Sequence, residues 1–105
     1  KKVLLLGERD GLPPEGFDHG NSPTALLENP SVPLVAVQAT TNGTPALLSC
    51  YGASSVIAAA PLNLSTSCKH AVNSGNDVLI VCAGLRGKFA EDDMLAAGMF
   101  VEKLV

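Results

Sequence analysis

Polar and charged residues follow three apolar runs of the chain, each at the point where the run ends. These groups are residues 7–11 (Gly-Glu-Arg-Asp-Gly), residues 40–44 (Thr-Thr-Asn-Gly-Thr) and residues 83–88 (Ala-Gly-Leu-Arg-Gly-Lys). In open α/β sheets, ligands bind beyond the carboxyl ends of strands and close to helix N-termini. We therefore expect the chemistry of this chain to lie in these three junctions.

The junction at residues 40–44 has the composition of an anion-binding turn. Asn42 and Gly43 tolerate left-handed dihedral angles, so successive backbone N–H groups can converge on one anion. The hydroxyls of Thr40, Thr41 and Thr44 add donors, and a helix after the turn adds the positive end of its dipole. The alternative is an ordinary turn in which Thr44 caps that helix, and the sequence leaves both interpretations open.

Three adjacent carboxylates, Glu91, Asp92 and Asp93, fall in the first turn of the last predicted helix. Acidic side chains there interact favourably with the helix dipole, by about 0.3–1 kcal/mol each, which is sufficient reason for their presence. A divalent cation would also relieve their mutual repulsion, since Mg²⁺ takes one or two carboxylates together with water and substrate phosphate oxygens. Glu8 offers a further carboxylate at a strand end.

Cys82 precedes a glycine-containing loop, as the nucleophile of a cysteine-dependent phosphatase does. Such a loop carries Arg where Lys88 stands here, and Lys does not hold a phosphoryl group bidentately. A P-loop is also excluded, because Phe89 follows where Ser or Thr is required. The alternative for Cys82 is a buried apolar thiol.

Because Cys50, Cys68 and Cys82 show no metal-binding spacing, we expect free thiols in a reducing cytoplasm.

Apolar runs alternate with helix signals, which predicts an α/β sheet flanked by helices. Helices should begin at Ser22-Pro23 and Thr44-Pro45, where a capping hydroxyl precedes proline. A third helix should start at Asn63 or Ser65 and end before Gly75. Strands are expected at residues 3–6, 34–39, 55–59 and 77–82, and the longest helix at residues 90–104. The apolar stripe of that last helix is expected at Met94, Gly98, Val101 and Val105, with Leu95 beside it.

Length and composition limit the class of protein. A chain of 105 residues has room for one domain at most. A formal net charge of −3 without a basic run argues against a nucleic-acid groove, and Pro, Asn and Gly interrupt every uncharged stretch that might span a bilayer. The chain opens Lys1-Lys2-Val3, and its first residues lack the longer apolar run and the small-residue cleavage site that a signal peptide needs. We expect it to be cytoplasmic and to begin inside a longer polypeptide.

Five groups of residues occur here in an order that is specific when taken together. They are Gly7-Glu8-Arg9 with Gly11, then residues 16–23 (Gly-Phe-Asp-His-Gly-Asn-Ser-Pro), residues 40–44, Pro61-Leu62-Asn63, and residues 81–84 with Gly87, Glu91 and Asp92. This set resembles the 2-phosphosulfolactate phosphatase family, which serves coenzyme M biosynthesis. The likeness runs over essentially the whole chain but corresponds to the middle portion of a family member.

The resemblance implies a three-layer α/β/α fold with a largely parallel central sheet. It also implies a Mg²⁺-dependent acid phosphatase that hydrolyses 2-phosphosulfolactate to sulfolactate and phosphate. Transferred to this chain, the catalytic residues would be Glu8, Arg9 and Asp92, and Glu8, Glu91 and Asp92 would be the metal-side carboxylates. Substrate would be held by Asn21, Ser22, Thr41, Asn42, Gly43, Thr44, Asn63 and Arg86.

The chain departs from the family pattern at several positions. Gln38 stands in an otherwise apolar strand, Ala39 replaces a hydroxyl residue, and Pro45 follows the turn where Arg is common. The family's N-terminal Asp-Val-Leu-Arg-Ala strand and its C-terminal third are absent from these residues. We therefore expect homo-oligomerisation or pairing with missing segments. The alternative function is a non-catalytic small-anion-binding α/β module, or an incomplete fragment of such an enzyme.

Overall fold

The computed structural model describes residues 3–28 and 35–105. The chain divides into two compact units, Lys1–Thr44 and Pro45–Val105. Each unit has its own packing and is described by itself. The expectation of a single α/β unit over residues 1–105 stays a prediction.

The first unit contains a parallel pair of strands, β1 (Val3–Gly7) and β2 (Val35–Ala39). Val3 lies opposite Val35, and Gly7 lies opposite Ala39. The continuous apolar sequence of β1 fits a strand that is covered on both faces, and Leu6 is indeed only 7% exposed. These strands confirm the predictions at residues 3–6 and 35–39, whereas residue 34 lies outside the described residues.

The second edge of β1 is occupied by the loop that follows it. The Asp18 N–H donates to the Leu5 carbonyl at 2.9 Å, and the Gly7 N–H donates to the His19 carbonyl at 3.2 Å. The Asp18 carboxylate also accepts from the Leu5 N–H at 2.8 Å. This loop therefore satisfies backbone groups that an open strand edge would leave to solvent.

Two short helices flank β2 in the sequence, α1 (Pro23–Leu27) and α2 (Gly43–Ser49). Ser22 is the N-cap residue of α1 and Pro23 its first residue, as the sequence predicts. The predicted capping role of the Ser22 hydroxyl is wrong, because that hydroxyl makes no hydrogen bond to the helix backbone. The second helix begins one residue before the predicted cap Thr44. Thr44 therefore lies within the first turn of α2, and the interpretation of Thr44 as a residue preceding that helix is wrong.

The second unit is built on α3 (Leu64–Ser74) and α4 (Glu91–Leu104), with a 3₁₀ turn at Pro61–Asn63 leading into α3. Gly75 ends α3 with φ 68°, the left-handed conformation expected after a helix C-terminus. The two helices pack together. Cys68 of α3 and Phe100 of α4 are the large buried side chains of this unit, 4% and 7% exposed.

The predicted apolar stripe of α4 is wrong. Met94 and Val101 are 54% and 50% exposed, and Leu95 is 72% exposed. The covered face is centred instead on Phe100, the largest apolar side chain of the helix, with Ala96 and Leu104 half-buried at helical spacing on the same side. Burial of the aromatic Phe100 ring removes more apolar surface from water than burial of any other side chain of the helix would.

The strands predicted at residues 55–59 and 77–82 are also wrong. Both segments are described, and neither is paired in the sheet, which consists of β1 and β2. Within 77–82, Leu79 is 85% exposed and Val78 is 49% exposed. A strand exists only where a neighbouring segment accepts and donates its backbone hydrogen bonds, and among the described residues no such neighbour is present.

Helices together with a parallel sheet confirm the α/β class. None of the helices in residues 3–28 and 35–105 has the length and apolar character needed to cross a bilayer.

Close approach of the two strands at their carboxyl ends depends on Gly7. This residue has φ 146°, and a Cβ placed on it would overlap the Ala39 carbonyl oxygen and lie 2.9 Å from the carbonyl carbon. Gly16 offers a matched comparison, because it also has a positive φ, 81°, but a Cβ there meets no atom within 4 Å.

We expect Gly7→Ala to lower the free energy of unfolding by roughly 2–3 kcal/mol more than Gly16→Ala does. Both variants carry the conformational penalty of a positive φ, about 1–2 kcal/mol, but only the first forces β1 and β2 apart. Urea unfolding of the two variants beside wild type measures the difference. Equal losses would show that the strand ends are free to separate.

Candidate functional site

The Glu8 carboxylate is the centre of a hydrogen-bond cluster at the end of β1. Its Oε1 accepts the Thr41 backbone N–H at 2.6 Å, and its Oε2 accepts the Thr41 hydroxyl at 2.9 Å. The same Oε2 accepts the Gly11 N–H at 3.0 Å. One side chain thus connects the first two sequence-predicted junctions, residues 7–11 and 40–44.

Parallel pairing brings these junctions together. Because β1 and β2 run in the same direction, their carboxyl ends meet at one edge of the sheet. The ladder continues one step past the strands, since the Glu8 N–H donates to the Ala39 carbonyl at 3.0 Å. The side chain of Glu8 is thereby placed next to the turn that follows β2.

A tight turn brings the Gly11 donor to the same carboxylate. Arg9 and Leu12 exchange two backbone hydrogen bonds, of 2.8 and 3.1 Å. Between them Asp10 and Gly11 have φ 54° and 81°, the pair of positive values typical of a type I′ turn. Asp followed by Gly is the residue pair that this turn favours.

The turn at residues 40–44 is fixed by a reciprocal pair of threonines. The Thr40 N–H donates to the Thr44 hydroxyl at 3.0 Å, and the Thr44 N–H donates to the Thr40 hydroxyl at 2.9 Å. This pair closes the turn, and the Thr41 N–H and hydroxyl both donate to Glu8. In this structure the anion that Thr41 binds is therefore the chain's own carboxylate.

These donors hold Glu8 in its ionised form. The backbone hydrogen bond from Thr41 is the largest cause that lowers the pKa of Glu8 below its ordinary value of 4.5, followed by the bonds from Gly11 and from the Thr41 hydroxyl. The positive charge of Arg9 lowers the pKa slightly further, and desolvation opposes these effects. Glu8 is an anion at neutral pH and cannot serve there as a proton donor.

The donor set of Glu8 is compatible with the implied Mg²⁺. A carboxylate has about four lone-pair positions, and three hydrogen bonds occupy most of them, which leaves room for one further partner on Oε1. Mg²⁺ requires only one or two carboxylates and takes its remaining oxygens from water and phosphate. Among residues 3–28 and 35–105, the structure gathers no cluster of three or more His, Cys, Asp or Glu side chains suited to a metal.

Asn21 is held by a residue that sequence reasoning did not assign to the site. The Gln38 side-chain amide donates to the Asn21 side-chain oxygen at 2.8 Å. This bond gives the polar residue in β2 a role, since it connects the strand with the loop ahead of α1. Ser22 is exposed, and its hydroxyl lies 2.7 Å from that of Thr24. The sequence did contain one indication that Gln38 has such a role, because it is the one amide side chain in the otherwise apolar strand β2.

In the second unit, Asp93 is the carboxylate with a defined structural partner. Its Oδ2 accepts the Gly84 N–H at 2.6 Å, and Asp93 is half-buried whereas Glu91 and Asp92 are exposed. Cys82 is exposed, so the expectation of a buried thiol is wrong, and its Sγ lies 3.7 Å from the Asp93 carbonyl oxygen. Sequence reasoning grouped the three acidic residues and missed this difference between them.

Asp93 binds the residue immediately before the tight turn that carries Arg86. Leu85 and Lys88 exchange backbone hydrogen bonds of 2.9 and 3.0 Å. Arg86 has φ 51° and Gly87 has φ 73°, again the pattern of a type I′ turn. A positive φ is unusual for Arg, because the β-carbon then clashes with the backbone. The surrounding turn therefore imposes it.

Asn63 links three backbone and side-chain groups around the start of α3. Its side-chain oxygen accepts the Ala60 N–H at 2.9 Å and the Ser67 hydroxyl at 3.1 Å, and its amide donates to the Ala58 carbonyl at 3.0 Å. These bonds hold the segment ahead of the helix. Ser67 is 7% exposed, so the bond to Asn63 also satisfies a buried hydroxyl.

The candidate residues thus fall into two sets. Glu8, Arg9 and the turn at residues 40–44 lie at one sheet edge of the first unit, where parallel pairing predicts them. The second set, Asn63, Arg86, Glu91 and Asp92, belongs to the second unit. The roles assigned to these residues from the resemblance stay predictions.

We expect Asp93→Ala to lower the free energy of unfolding by roughly 1–3 kcal/mol, because the Gly84 N–H loses a charged acceptor. Asp92→Ala is the matched control: it removes an exposed carboxylate from the same helical turn and should cost only about 0.3–1 kcal/mol through the helix dipole. Urea unfolding separates the two. Indistinguishable losses would mean that Asp93 acts through the dipole alone.

We expect Glu8 to make stability depend on pH in the acid range. Since its pKa is lower in the folded than in the unfolded chain, its stabilisation is complete above about pH 4.5 and is lost as pH falls through the folded-state pKa. The urea midpoint of wild type should therefore fall more steeply below pH 4.5 than that of Glu8→Gln. Glu15→Gln, which changes an exposed loop carboxylate, should follow wild type. Parallel curves for wild type and Glu8→Gln would contradict the assignment.

The comparison with known proteins agrees with the ordered motifs. The family model of 2-phosphosulpholactate phosphatase matches residues 1–105. The chain is 43% identical over 101 residues to a probable 2-phosphosulfolactate phosphatase of Caldanaerobacter subterraneus, covering 96% of this chain and 42% of that protein. A probable 2-phosphosulfolactate phosphatase of Thermotoga petrophila is 40% identical, with 97% and 44% covered. One of Clostridium botulinum is 35% identical, with 99% and 44% covered.

The chain therefore spans less than half the length of these relatives, while the match extends over nearly all of its own residues. The resemblance drawn from the motifs is confirmed: this chain belongs to the 2-phosphosulpholactate phosphatase family.

Proposed function

We propose that the full-length protein containing this chain is a phosphatase that hydrolyses 2-phosphosulfolactate to sulfolactate and phosphate with the help of Mg²⁺. The observation that carries the proposal is the Glu8 carboxylate, held ionised beside the turn at residues 40–44 by hydrogen bonds of 2.6 and 2.9 Å from Thr41. Family membership and the names of the relatives support the proposed substrate class.

The substrate carries phosphate, sulfonate and carboxylate groups, so it needs concentrated positive charge in a protein whose net charge is −3. Arg9, on the tight turn after β1, and Arg86, on the tight turn before α4, would supply charge-assisted hydrogen bonds. Backbone N–H groups of Asn42 and Gly43 would add dipoles from the start of α2. Asn21, Ser22 and Asn63 would position loops and substrate oxygens.

Glu8 would hold Mg²⁺ directly or through water. The metal-side roles that the resemblance implies for Glu91 and Asp92, which belong to the second unit, stay predictions. When bound, the metal ion would neutralise charge that develops on the phosphoryl oxygens. Because Glu8 is ionised, its part is to bind a cation or to accept a proton from water. Protonation of the leaving oxygen must then come from another group or from solvent.

The proposal also includes a three-layer fold for the whole protein, a cellular location and a metabolic role. Val35 and Val37 lie on one face of β2 and are 51% and 50% exposed, as expected of a sheet face that a further layer covers in the whole protein. A three-layer α/β/α domain would provide that layer. A cytoplasmic location and a role in coenzyme M biosynthesis complete the proposal.

The test is release of phosphate from 2-phosphosulfolactate by the full-length protein at mildly acidic pH. Activity should disappear with a chelator and return with Mg²⁺, and Glu8→Gln should lower kcat by about 100-fold or more. Glu15→Gln is the matched control and should retain activity, because Glu15 is an exposed loop residue.

Two results would contradict the proposal. Loss of activity in Cys82→Ser with indifference to chelator would indicate thiol chemistry instead. Calorimetric binding of phosphate or sulfolactate without turnover of any anionic phosphoester by folded protein would indicate a non-catalytic anion-binding module.

A further inference from the structure

Thr41 has two hydrogen-bond donors, its backbone N–H and its hydroxyl. Both donate to Glu8, at 2.6 Å to Oε1 and at 2.9 Å to Oε2. The two bonds reach different oxygens of one carboxylate, so they fix its rotation as well as its position. While they persist, Thr41 has no donor left for an oxygen of a substrate.

The threonines on either side of Thr41 maintain this arrangement. Thr40 and Thr44 bond each other reciprocally, each backbone N–H donating to the other's hydroxyl, at 3.0 and 2.9 Å. Their backbone N–H donors are used in closing the turn. Within residues 40–44, Thr40 and Thr44 therefore close the turn, and Thr41 holds Glu8. Asn42 and Gly43 lie at the start of α2.

We propose that Thr41 is a positioning residue, which orients the Glu8 carboxylate, and that it is not a direct ligand of the substrate anion. The inference rests on the proposed phosphatase function for its catalytic meaning. It changes the role that the resemblance implies for Thr41, from substrate binding to support of a neighbouring carboxylate. A carboxylate that binds a cation or accepts a proton must be held in one orientation to act efficiently.

A double-mutant cycle on kcat tests this in the full-length enzyme. Thr41→Val removes the hydroxyl but keeps the backbone N–H, and should lower kcat about tenfold while leaving the KM for 2-phosphosulfolactate within twofold. In the Glu8→Gln background the same change should have less than a twofold effect, because Thr41 acts through Glu8. Thr41→Ser, which restores the hydroxyl, should recover most of the activity.

Thr66→Val provides the matched control, since Thr66 is an exposed threonine of α3. It should leave kcat and KM unchanged. If valine disturbs the turn, as far-UV circular dichroism would reveal, Thr41→Ala removes the hydroxyl with a smaller side chain. An increase in KM of tenfold with kcat unchanged, or an equal effect of Thr41→Val in both backgrounds, would overturn the proposal.

A second measurement does not depend on activity. The Gly11 N–H donates to the same Glu8 Oε2 at 3.0 Å, so its proton chemical shift reports where the carboxylate lies. Thr41→Val should move that resonance, Thr41→Ser should restore it, and Thr66→Val should leave it in place. Binding of inorganic phosphate, measured by calorimetry, should stay within twofold of wild type in Thr41→Val.

These readouts separate the two claims. A wild-type enzyme that hydrolyses no phosphoester defeats the proposed function, yet a Gly11 resonance that follows the Thr41 hydroxyl still supports Thr41 as the residue that holds Glu8. An unmoved Gly11 resonance, or phosphate affinity that falls tenfold in Thr41→Val, defeats the positioning role whether or not the enzyme is active.

Discussion

The bonds between Glu8 and Thr41 join the ends of two parallel strands that are far apart in sequence. Backbone pairing alone would align β1 and β2, but it would not place a side chain at their common edge. The Glu8 N–H extends the ladder to Ala39, and the side chain then turns toward the loop after β2. Gly7 permits this because a β-carbon there would overlap the Ala39 carbonyl. The strand register and the glycine at position 7 thus place the Glu8 carboxylate beside Thr41.

The second unit uses the same physical device with different residues. A carboxylate, Asp93, accepts a backbone N–H from Gly84, next to a tight turn in which Arg86 and Gly87 have positive φ. In the first unit Glu8 accepts the N–H of Gly11, within a tight turn at Asp10 and Gly11. Such turns direct backbone N–H groups outward, and a nearby anion compensates them. In both places an arginine lies close by: Arg9 belongs to the turn whose Gly11 N–H Glu8 accepts, and Arg86 belongs to the turn that directly follows Gly84.

Local signals in the sequence predicted the elements that local physics decides. The Ser22-Pro23 start of α1, the Gly75 end of α3 and the span of α4 depend on proline geometry, a left-handed glycine and helix propensity within a few residues. The strands expected at residues 55–59 and 77–82 depend on partners distant in sequence, and composition does not supply a partner. The adjacency of Glu8 and residues 40–44 was predictable because parallel strands share a carboxyl edge. Two side-chain contacts could not be predicted in this way: Thr41 donates both of its hydrogen bonds to Glu8, and Gln38 binds Asn21. Both contacts join segments that are distant in sequence, and the spacing of residues along one segment does not reveal them.

The hydrogen bonds from Thr41 favour a charged Glu8, and a charged Glu8 near an anionic substrate calls for the proposed cation. An ionised Glu8 beside an anionic phosphoester is repulsive by itself, and in a site sheltered from water that repulsion grows as the local dielectric constant falls. The same hydrogen bonds that lower the pKa of Glu8 keep it charged across the mildly acidic range, so protonation does not remove the repulsion. A divalent cation between the two anions reverses the sign of the interaction, provided that the carboxylate is held where the cation must sit. The donors of Thr41 and Gly11 fix the orientation of the Glu8 carboxylate and favour its charged form without any ligand.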